Sequence, residues 1–285
     1  MLSTAQSIGH PQQLRDLLLP WRVVRHFRPY AGLIQQFIKR DILSRYRGSY
    51  LGIFWSLLRP LATLAIYTVV FGYIFESKLG NGPTESKLDF TITLFCGLII
   101  FEFIAECLSR APTAILSNPS YVTKVVFPLE ILPVTIVGAG LVQMMFSSIP
   151  LLTAMLLFGN GIPLTVFWLP VILVPLVFLI LGTCWFLASL GMFIRDINSA
   201  VPVAIQILMF ASAIFYSINR VPPQVRRYLL LNPIAGIINQ VRSVVLWGIS
   251  PDWSYYLAVL TFGLIILMIG YAFFMRTKGA FADVM

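Results

Sequence analysis

Two glutamates in an otherwise apolar segment are the residues of this sequence best placed to do chemistry. Glu102 and Glu106 stand four positions apart, about one helical turn, near the end of an apolar run at residues 90–108. Carboxylates within a membrane usually face a bundle interior or a water-filled path. Proton coupling needs more such groups through the membrane depth, so the pair favours a structural or pathway-lining role. The alternative is that both side chains reach to the membrane surface.

Other arrangements of catalytic residues are missing from the sequence. It contains no GxxxxGK(S/T) motif for ATP, no dinucleotide fingerprint and no recognisable Ser/His/Asp arrangement. Cys96, Cys107 and Cys184 lack the spacing of a zinc site or a disulfide framework. The two histidines, His10 and His26, form no HExxH motif. The sequence therefore predicts neither a catalytic residue nor a metal or cofactor in this chain.

The composition indicates that the elements positioning the two glutamates lie in a membrane. Of 285 residues, 58% are hydrophobic and only 11% are charged, whereas soluble chains carry roughly 25% charged residues. The net charge is +9, and nine of the 20 Lys and Arg residues lie within positions 1–59. Because they cluster ahead of the first apolar run, they indicate contact with membrane lipid and a topology signal, not nucleic-acid binding.

Six apolar runs predict an all-α integral membrane protein with six transmembrane helices. A helix needs roughly 20 residues to cross a hydrocarbon core of ~30 Å, which the fifth run barely supplies. Helices are required because unpaired backbone groups are costly in lipid. The predicted spans, in one transmembrane domain at 31–285 after a polar extension at 1–30, are about 53–75, 90–108, 131–158, 166–192, 200–217 and 254–275.

A basic segment, residues 31–48, leads into the first span without a linker. Apolar side chains recur there at three- and four-residue steps. Four cations lie mostly elsewhere around the helix: Lys39, Arg40, Arg45 and Arg47. This pattern predicts an N-terminal amphipathic interface helix in the headgroup plane of an anionic leaflet. The apolar span that follows argues against the alternative, a solvated helix on a soluble domain.

The distribution of Lys and Arg among the loops predicts the orientation of the chain. With the N-terminus in the cytoplasm, fourteen of these residues fall on the inside and six on the outside. Cytoplasmic loops carry the excess of Lys and Arg. Cytoplasmic N- and C-termini are therefore favoured.

The segment before the last span, residues 218–251, does not fit a plain loop. Three prolines and a glycine divide it into apolar pieces that are too short to cross a membrane. We predict a re-entrant helical hairpin at about 222–247, which dips into the outer leaflet and returns. The segment contains four arginines, Arg220, Arg226, Arg227 and Arg242. These cations contact either lipid headgroups or an anionic group of a transported molecule.

The loop between the second and third predicted spans carries the sequence SNPSYVTKVVFPLEILP. A turn at Asn118 precedes a short amphipathic piece that contains Tyr121, Phe127 and a lone cation, Lys124. A surface helix with an exposed apolar edge is a docking element where a partner exists. An interfacial turn is the alternative.

Four blocks follow one another along the chain: RDILSRYRGSYLGIFWSLLRPL, SNPSYVTKVVFPLEILP, FIRDINSAVPVAIQILMFASAIFYS and LLLNPIAGIINQVRSVV. In this order and spacing they resemble the membrane subunit of polysaccharide ABC exporters, which include the permeases for O-antigen, capsule and teichoic acid. The resemblance extends over about residues 33–285. Within the group, the chain is most similar to the O-antigen export permease.

The resemblance implies a transport function and a set of partners. A homodimer of the permease in the bacterial inner membrane would enclose a channel for a polysaccharide attached to polyprenyl pyrophosphate. A separate ATPase subunit, which binds the ATP and Mg²⁺, would drive the polymer to the periplasm. Capsular polysaccharide and teichoic acid are the alternative substrates.

The resemblance also suggests roles for individual residues. Residues 33–48 and 117–128 match the surface on which the ATPase docks, with the candidates Asn118, Tyr121, Lys124, Phe127, Arg40 and Arg45. Aromatic rings suit sugar faces and cations suit pyrophosphate. The candidates for the substrate path are Lys39, Arg47, Arg59, Glu102, Phe71, Tyr73, Phe215, Tyr216, Arg226 and Arg227, with Phe101, Phe103 and Phe210 as further aromatic candidates.

Two other classes of protein remain as alternatives. An ion-coupled secondary transporter is disfavoured because no inverted repeat is visible and ionisable groups in the spans are scarce. A membrane-embedded glycosyltransferase is disfavoured because no acidic cluster stands at a membrane face to hold a metal or act as a base.

Overall fold

The computed structural model describes residues 25–70, 87–123, 127–158, 161–216, 221, 222, 224, 226, 229 and 231–284. All regular elements in these residues are helical, as the sequence predicts. In chain order they are α1 (Ala31–Arg45), α2 (Trp55–Tyr67), α3 (Lys87–Arg110), α4 (Pro119–Thr123), α5 (Ile131–Phe158), α6 (Leu169–Phe193), α7 (Ile197–Ala211), α8 (Pro233–Val245), α9 (Trp253–Thr277) and α10 (Phe281–Val284).

Four stretches of helix are long and apolar enough to cross a membrane. They lie at the second, third, fourth and sixth predicted spans: Leu88–Thr113, Ile131–Phe158, Leu164–Phe193 and Trp253–Ala280. Two shorter apolar helices, Trp55–Val70 and Ile197–Ala211, lie at the first and fifth. The second of these ends at Ala211, short of the predicted residue 217, and residues 71–75 of the first predicted span lie outside the described residues.

Helix α3 forms the centre of the bundle. In its most apolar stretch 78% of the residues are buried, against 28% to 39% in the other three long helices. It contacts α2, α5, α6, α7 and α8. Its two glutamates therefore stand on a helix that several others surround, and a side chain there can be held by more than one element.

Helices α6 and α9 form the closest pair, because glycines lie where the two backbones cross. A Cβ atom at Gly182 would collide with the carbonyl oxygen of Ile266, and one at Gly270 with the carbonyl oxygen of Gly182. A Cβ at Gly263 would lie 2.7 Å from the carbonyl oxygen of Pro175. Small residues of this kind let membrane helices approach and gain van der Waals contact.

A buried glutamate ties the two ends of the described chain together at one end of the bundle. This end, here called the basal end, contains Arg110, Glu130 and Lys278. Glu130 accepts a hydrogen bond from Lys278 Nζ at 2.6 Å and lies 2.9 Å from His26 Nε2. Burial raises the pKa of Glu130, but Lys278 and His26 outweigh it, so the pKa lies below its ordinary value.

Helix α8 lies at the opposite, distal end of the bundle, where it packs on α3 and α6. Its 13 residues extend for about 20 Å, less than a hydrocarbon core of ~30 Å. The sequence predicts that Arg242, like the other arginines of this segment, contacts lipid headgroups or a transported molecule. The structure contradicts this prediction for Arg242, which is only 5% exposed. Its position on the face of α8 that packs inward is the reason.

Candidate functional site

A groove of about 1450 Å³ runs between α2, α3 and α5, with the end of α1 and two residues of α7 at its rim. Its walls are mostly apolar, as expected between membrane helices. Charged side chains converge on it from three helices: Asp41, Arg45, Arg59, Glu102, Glu106 and Arg110. A charged groove inside an apolar bundle is a candidate ligand site, because such charges are costly to retain.

Four of these charges form an ion-pair ring at the basal mouth of the groove. Arg45 pairs with Glu106 and, at 2.8 Å, with Asp41 on its own helix. Arg110 pairs with Asp41 at 2.5 Å and approaches Glu106 at 3.4 Å. Burial raises the pKa of Asp41, yet Arg110 and Arg45 together bring it below its ordinary value. The ring therefore carries no net charge and joins α1 to α3.

The other two charges, Arg59 of α2 and Glu102 of α3, lie beyond the ring. Both side chains are exposed to the groove. Neither makes a hydrogen bond or ion pair with another side chain in the parts of the chain that the structure describes. Glu102 lies one helical turn from Glu106, in the direction of the distal end. Arg59 is thus a cation that remains available to an anionic ligand.

Polar residues outside the predicted set complete the wall of the groove. Tyr46 donates a hydrogen bond to Gln143 Oε1 at 3.0 Å, and Gln143 Nε2 donates to the carbonyl oxygen of Ser56 at 3.4 Å. Sequence reasoning did not identify these residues or Asp41. The signal for Gln143 was present, since it is a lone amide in a long apolar helix.

A second cluster joins α1 to the loop after α3. Arg40 Nη1 donates a hydrogen bond to the Tyr121 hydroxyl at 2.8 Å, and its guanidinium lies 4.4 Å from the ring centroid of Phe37. The rings of Tyr121 and Phe127 stack at 4.7 Å. Asn118 holds the turn before them through a 2.9 Å hydrogen bond to the carbonyl oxygen of Ala114. Four predicted docking residues therefore belong to one surface, here called the basal surface.

The remaining predicted docking residues lie elsewhere. Arg45 faces the groove, where it belongs to the ion-pair ring. Lys124 lies outside the described residues, as do three predicted path residues: Phe71, Tyr73 and Arg227.

The predicted path residues do not form one continuous lining. Arg59 and Glu102 share the groove, whereas the exposed Lys39 and Arg47 do not line it. Phe215 and Tyr216 follow α7, and the ring of Phe215 lies 6.0 Å from that of Phe210. The other described candidates are Arg226, which is exposed, and Phe101 and Phe103, which are buried in the core.

Taken together, the fold and the groove define a multi-helix membrane protein with a charged cavity among its helices and a cation-aromatic surface at one end. The chain belongs to the ABC-2 type transporter family, which matches residues 32–246. It is a transport subunit without an ATP site of its own, consistent with the missing GxxxxGK(S/T) motif.

Similarity to individual permeases covers most of the chain. The O-antigen export system permease protein RfbA of Myxococcus xanthus is 24% identical over 264 residues, 92% of this chain and 98% of the relative. RfbA of Klebsiella pneumoniae is 25% identical over 250 residues, 86% and 92% of the two chains. The polysialic acid transport protein KpsM of Escherichia coli is 27% identical over 261 residues, 86% and 93%.

Proposed function

We propose that this chain is the permease subunit of an ABC exporter that moves a lipid-linked polysaccharide, most closely an O-antigen, from cytoplasm to periplasm. The observation that carries the proposal is similarity to O-antigen permeases over nearly the full chain. The comparable similarity to KpsM supports capsular polysaccharide as the second candidate. The proposed carrier lipid, polyprenyl pyrophosphate, is an anion, and the groove offers Arg59, a cation that makes no ion pair with other described residues.

The proposed topology is six spans in the bacterial inner membrane with the basal end in the cytoplasm. The four long and two shorter apolar helices support this count. The clustering of cations in and before α1 supports the orientation and the role of α1 as an interface helix. Helix α8, too short to span, is the second arm of the proposed re-entrant hairpin. Two copies of the chain enclose the channel.

In this account, the groove receives the pyrophosphate of the substrate. Arg59 binds it, because a guanidinium forms paired hydrogen bonds with phosphate oxygens. Glu102 accepts hydrogen bonds from hydroxyl groups of the first sugar. Lys39 on α1 and Arg47 just after this helix are both exposed and attract the anion toward the groove. The apolar walls formed by α2 and α5 allow the lipid chain to remain in the bilayer.

The basal surface is the proposed docking site of the ATPase subunit, which carries the ATP and Mg²⁺. The ring of Phe37 in α1 packs against the stacked rings of Tyr121 and Phe127, and the hydrogen bond from Arg40 to Tyr121 adds to this contact, so α1 is joined to the loop after α3. The ion-pair ring then connects α1 to α3, which carries Glu102. ATP hydrolysis on the partner can therefore displace a groove wall through two sets of contacts that this chain supplies.

Gentle purification from the native host tests this proposal. The tagged chain is extracted in mild detergent, and co-purifying proteins are identified by mass. We expect a stoichiometric partner with a GxxxxGK(S/T) sequence and a complex that contains two copies of each chain. A homo-oligomer that repeatedly lacks such a partner would contradict the proposal, and transport driven by a proton gradient without ATP would revive the secondary-transporter alternative.

A further inference from the structure

Arg242 of α8 is a buried cation whose only polar partners in the described part of the chain are backbone carbonyl groups. Its Nε donates to the carbonyl oxygen of Thr93 at 3.1 Å, Nη1 to that of Ala213 at 3.2 Å, and Nη2 to that of Ile214 at 2.9 Å. A charged side chain in the apolar interior is costly and usually functional. These three contacts are called the carbonyl clamp.

The carbonyl clamp holds the place where α7 breaks. Ala213 adopts a left-handed backbone conformation with φ of +51°, which is unfavourable for a residue with a side chain. The last carbonyl groups of a helix have no partners within it. Here Asn232 Nδ2 donates to the carbonyl oxygen of Ala211, the last residue of α7, at 3.0 Å. Arg242 donates to the carbonyl oxygens of Ala213 and Ile214, two and three residues beyond the end of the helix. Helix α8 thus fixes a strained break that α7 alone would not maintain.

The break determines where the aromatic rings that follow α7 lie. Phe215 comes directly after Ile214, and its ring centroid is 6.3 Å from that of Tyr67 in α2 and 6.0 Å from that of Phe210. The Tyr216 hydroxyl donates to the carbonyl oxygen of Phe210 at 2.6 Å. Loss of the carbonyl clamp would release Ile214, and Phe215 would move with it.

We propose that Arg242 is a positioning residue for polymer passage, because the carbonyl clamp holds Phe215, a candidate path residue, against Tyr67 of α2. The assignment of sugar contact to these rings rests on the proposed function, whereas the clamp rests on its own contacts. Lysine cannot replace arginine here, since an ammonium group lacks the planar fork that reaches three carbonyl oxygens.

Gly97 of α3 provides a second way to disturb the carbonyl clamp. A Cβ atom at Gly97 would lie 2.6 Å from Arg242 Nη2 and 3.1 Å from Cζ. Gly97→Ala therefore displaces the guanidinium while its charge is retained. Gly32→Ala is the matched control, because a Cβ there meets nothing within 4 Å.

Cysteine crosslinking between Tyr67→Cys and Phe215→Cys tests the clamp without an export assay. The full chain is treated in native membranes with a short bifunctional thiol reagent, and single-cysteine variants control for the three buried native cysteines. Arg242→Lys and Gly97→Ala should each slow crosslinking by about tenfold, as expected for loss of a charged hydrogen bond, and Gly32→Ala should not. Unchanged crosslinking in both variants would overturn the proposal.

A double-mutant cycle tests whether Arg242 acts through Phe215. Polysaccharide export is measured for Arg242→Lys, Phe215→Ala and the double variant at equal protein levels. Export by the double variant should equal that by Phe215→Ala alone. If the fold-loss of export in the double variant equals the product of the losses in the two single variants, Arg242 does not act through Phe215 and the positioning role is overturned. If the wild-type chain exports no polysaccharide while crosslinking still responds to Arg242→Lys, the proposed function fails and the clamp stands.

Discussion

Arg45 of α1 and Glu106 of α3 form an ion pair that ties the basic surface helix to the most buried helix of the bundle. Both side chains are about a quarter exposed, at 24% and 23%. Asp41 and Arg110 close the ring around them. A displacement of α1 is therefore transmitted to α3 at the mouth of the groove.

Breaking the ion pair between Arg45 and Glu106 should lower both the stability of the fold and the coupling of ATP hydrolysis to export. Arg45→Gln leaves Glu106 with only the longer contact to Arg110, at 3.4 Å, among the described residues, which costs about 1–3 kcal/mol for a partly buried group. Thermal unfolding in detergent should occur at a lower temperature, and the polymer exported per ATP hydrolysed should fall. Arg276→Gln, at an exposed arginine of α9, is the control. Partial recovery in the charge-swapped variant Arg45→Glu/Glu106→Arg supports pairing, and an unchanged ratio in Arg45→Gln contradicts the coupling role.

Arg59 should matter for substrate but not for assembly. Arg59→Gln removes a groove cation that makes no ion pair with other described residues, and it should reduce export by about tenfold or more, the effect of losing a charge-assisted phosphate contact of about 1.5–3 kcal/mol. Because the side chain makes no ion pair with described residues, unfolding temperature and ATPase co-purification should not change. Export at the wild-type level in Arg59→Gln would show that Arg59 does not bind the substrate.

Tyr121 offers a graded test of the basal surface. Tyr121→Ala removes the ring that stacks on Phe127 and the hydroxyl that binds Arg40, so basal ATP hydrolysis should continue while export falls. Tyr121→Phe keeps the ring and loses only an exposed hydrogen bond, worth about 0.5–1.5 kcal/mol, so it should remain close to wild type. Equal export by the two variants would argue against a role for the surface in coupling.

Glu130 should make stability depend on pH under acidic conditions. Its pKa in the folded protein lies below the ordinary 4.5, so the folded state binds its proton less readily than the unfolded state. The resulting stability is present above pH 4.5 and is lost as the pH falls through the lower, folded value. Unfolding temperatures measured from pH 7 to pH 3 should fall more steeply for wild type than for Glu130→Gln. Parallel curves would show that the contacts with Lys278 and His26 do not stabilise the fold.

The sequence alone predicts most of the architecture but only part of the site. Apolar run lengths define helices because lipid allows no other open structure, and the four long helices follow from them directly. Arg40, Tyr121 and Phe127, which were predicted to share a docking role, lie in contact on one surface. The helices were predictable from composition and the lengths of the apolar runs, and the docking residues from the resemblance of their sequence blocks to a family.

The missed features depend on which residues meet across the fold. Asp41 looks like an ordinary partner of Arg45 one turn away, yet its second partner, Arg110, stands 69 positions along the chain. Arg242 looks like a loop cation because a short helix does not reveal which face packs inward. The apolar neighbours Val241 and Val244, both buried, were the available signal that it points into protein.

The location of polysaccharide in a deletion strain shows whether this chain is the permease of a polysaccharide exporter. Polymer is quantified separately at the cell surface and in the cytoplasm after the gene for this chain is removed and then restored as wild type or as Arg59→Gln. We expect cytoplasmic accumulation of lipid-linked polymer in the deletion strain, recovery of surface polymer with wild type, and little recovery with Arg59→Gln. Normal surface polymer in the deletion strain, with no cytoplasmic accumulation, would contradict the assignment of this chain as the exporter's permease.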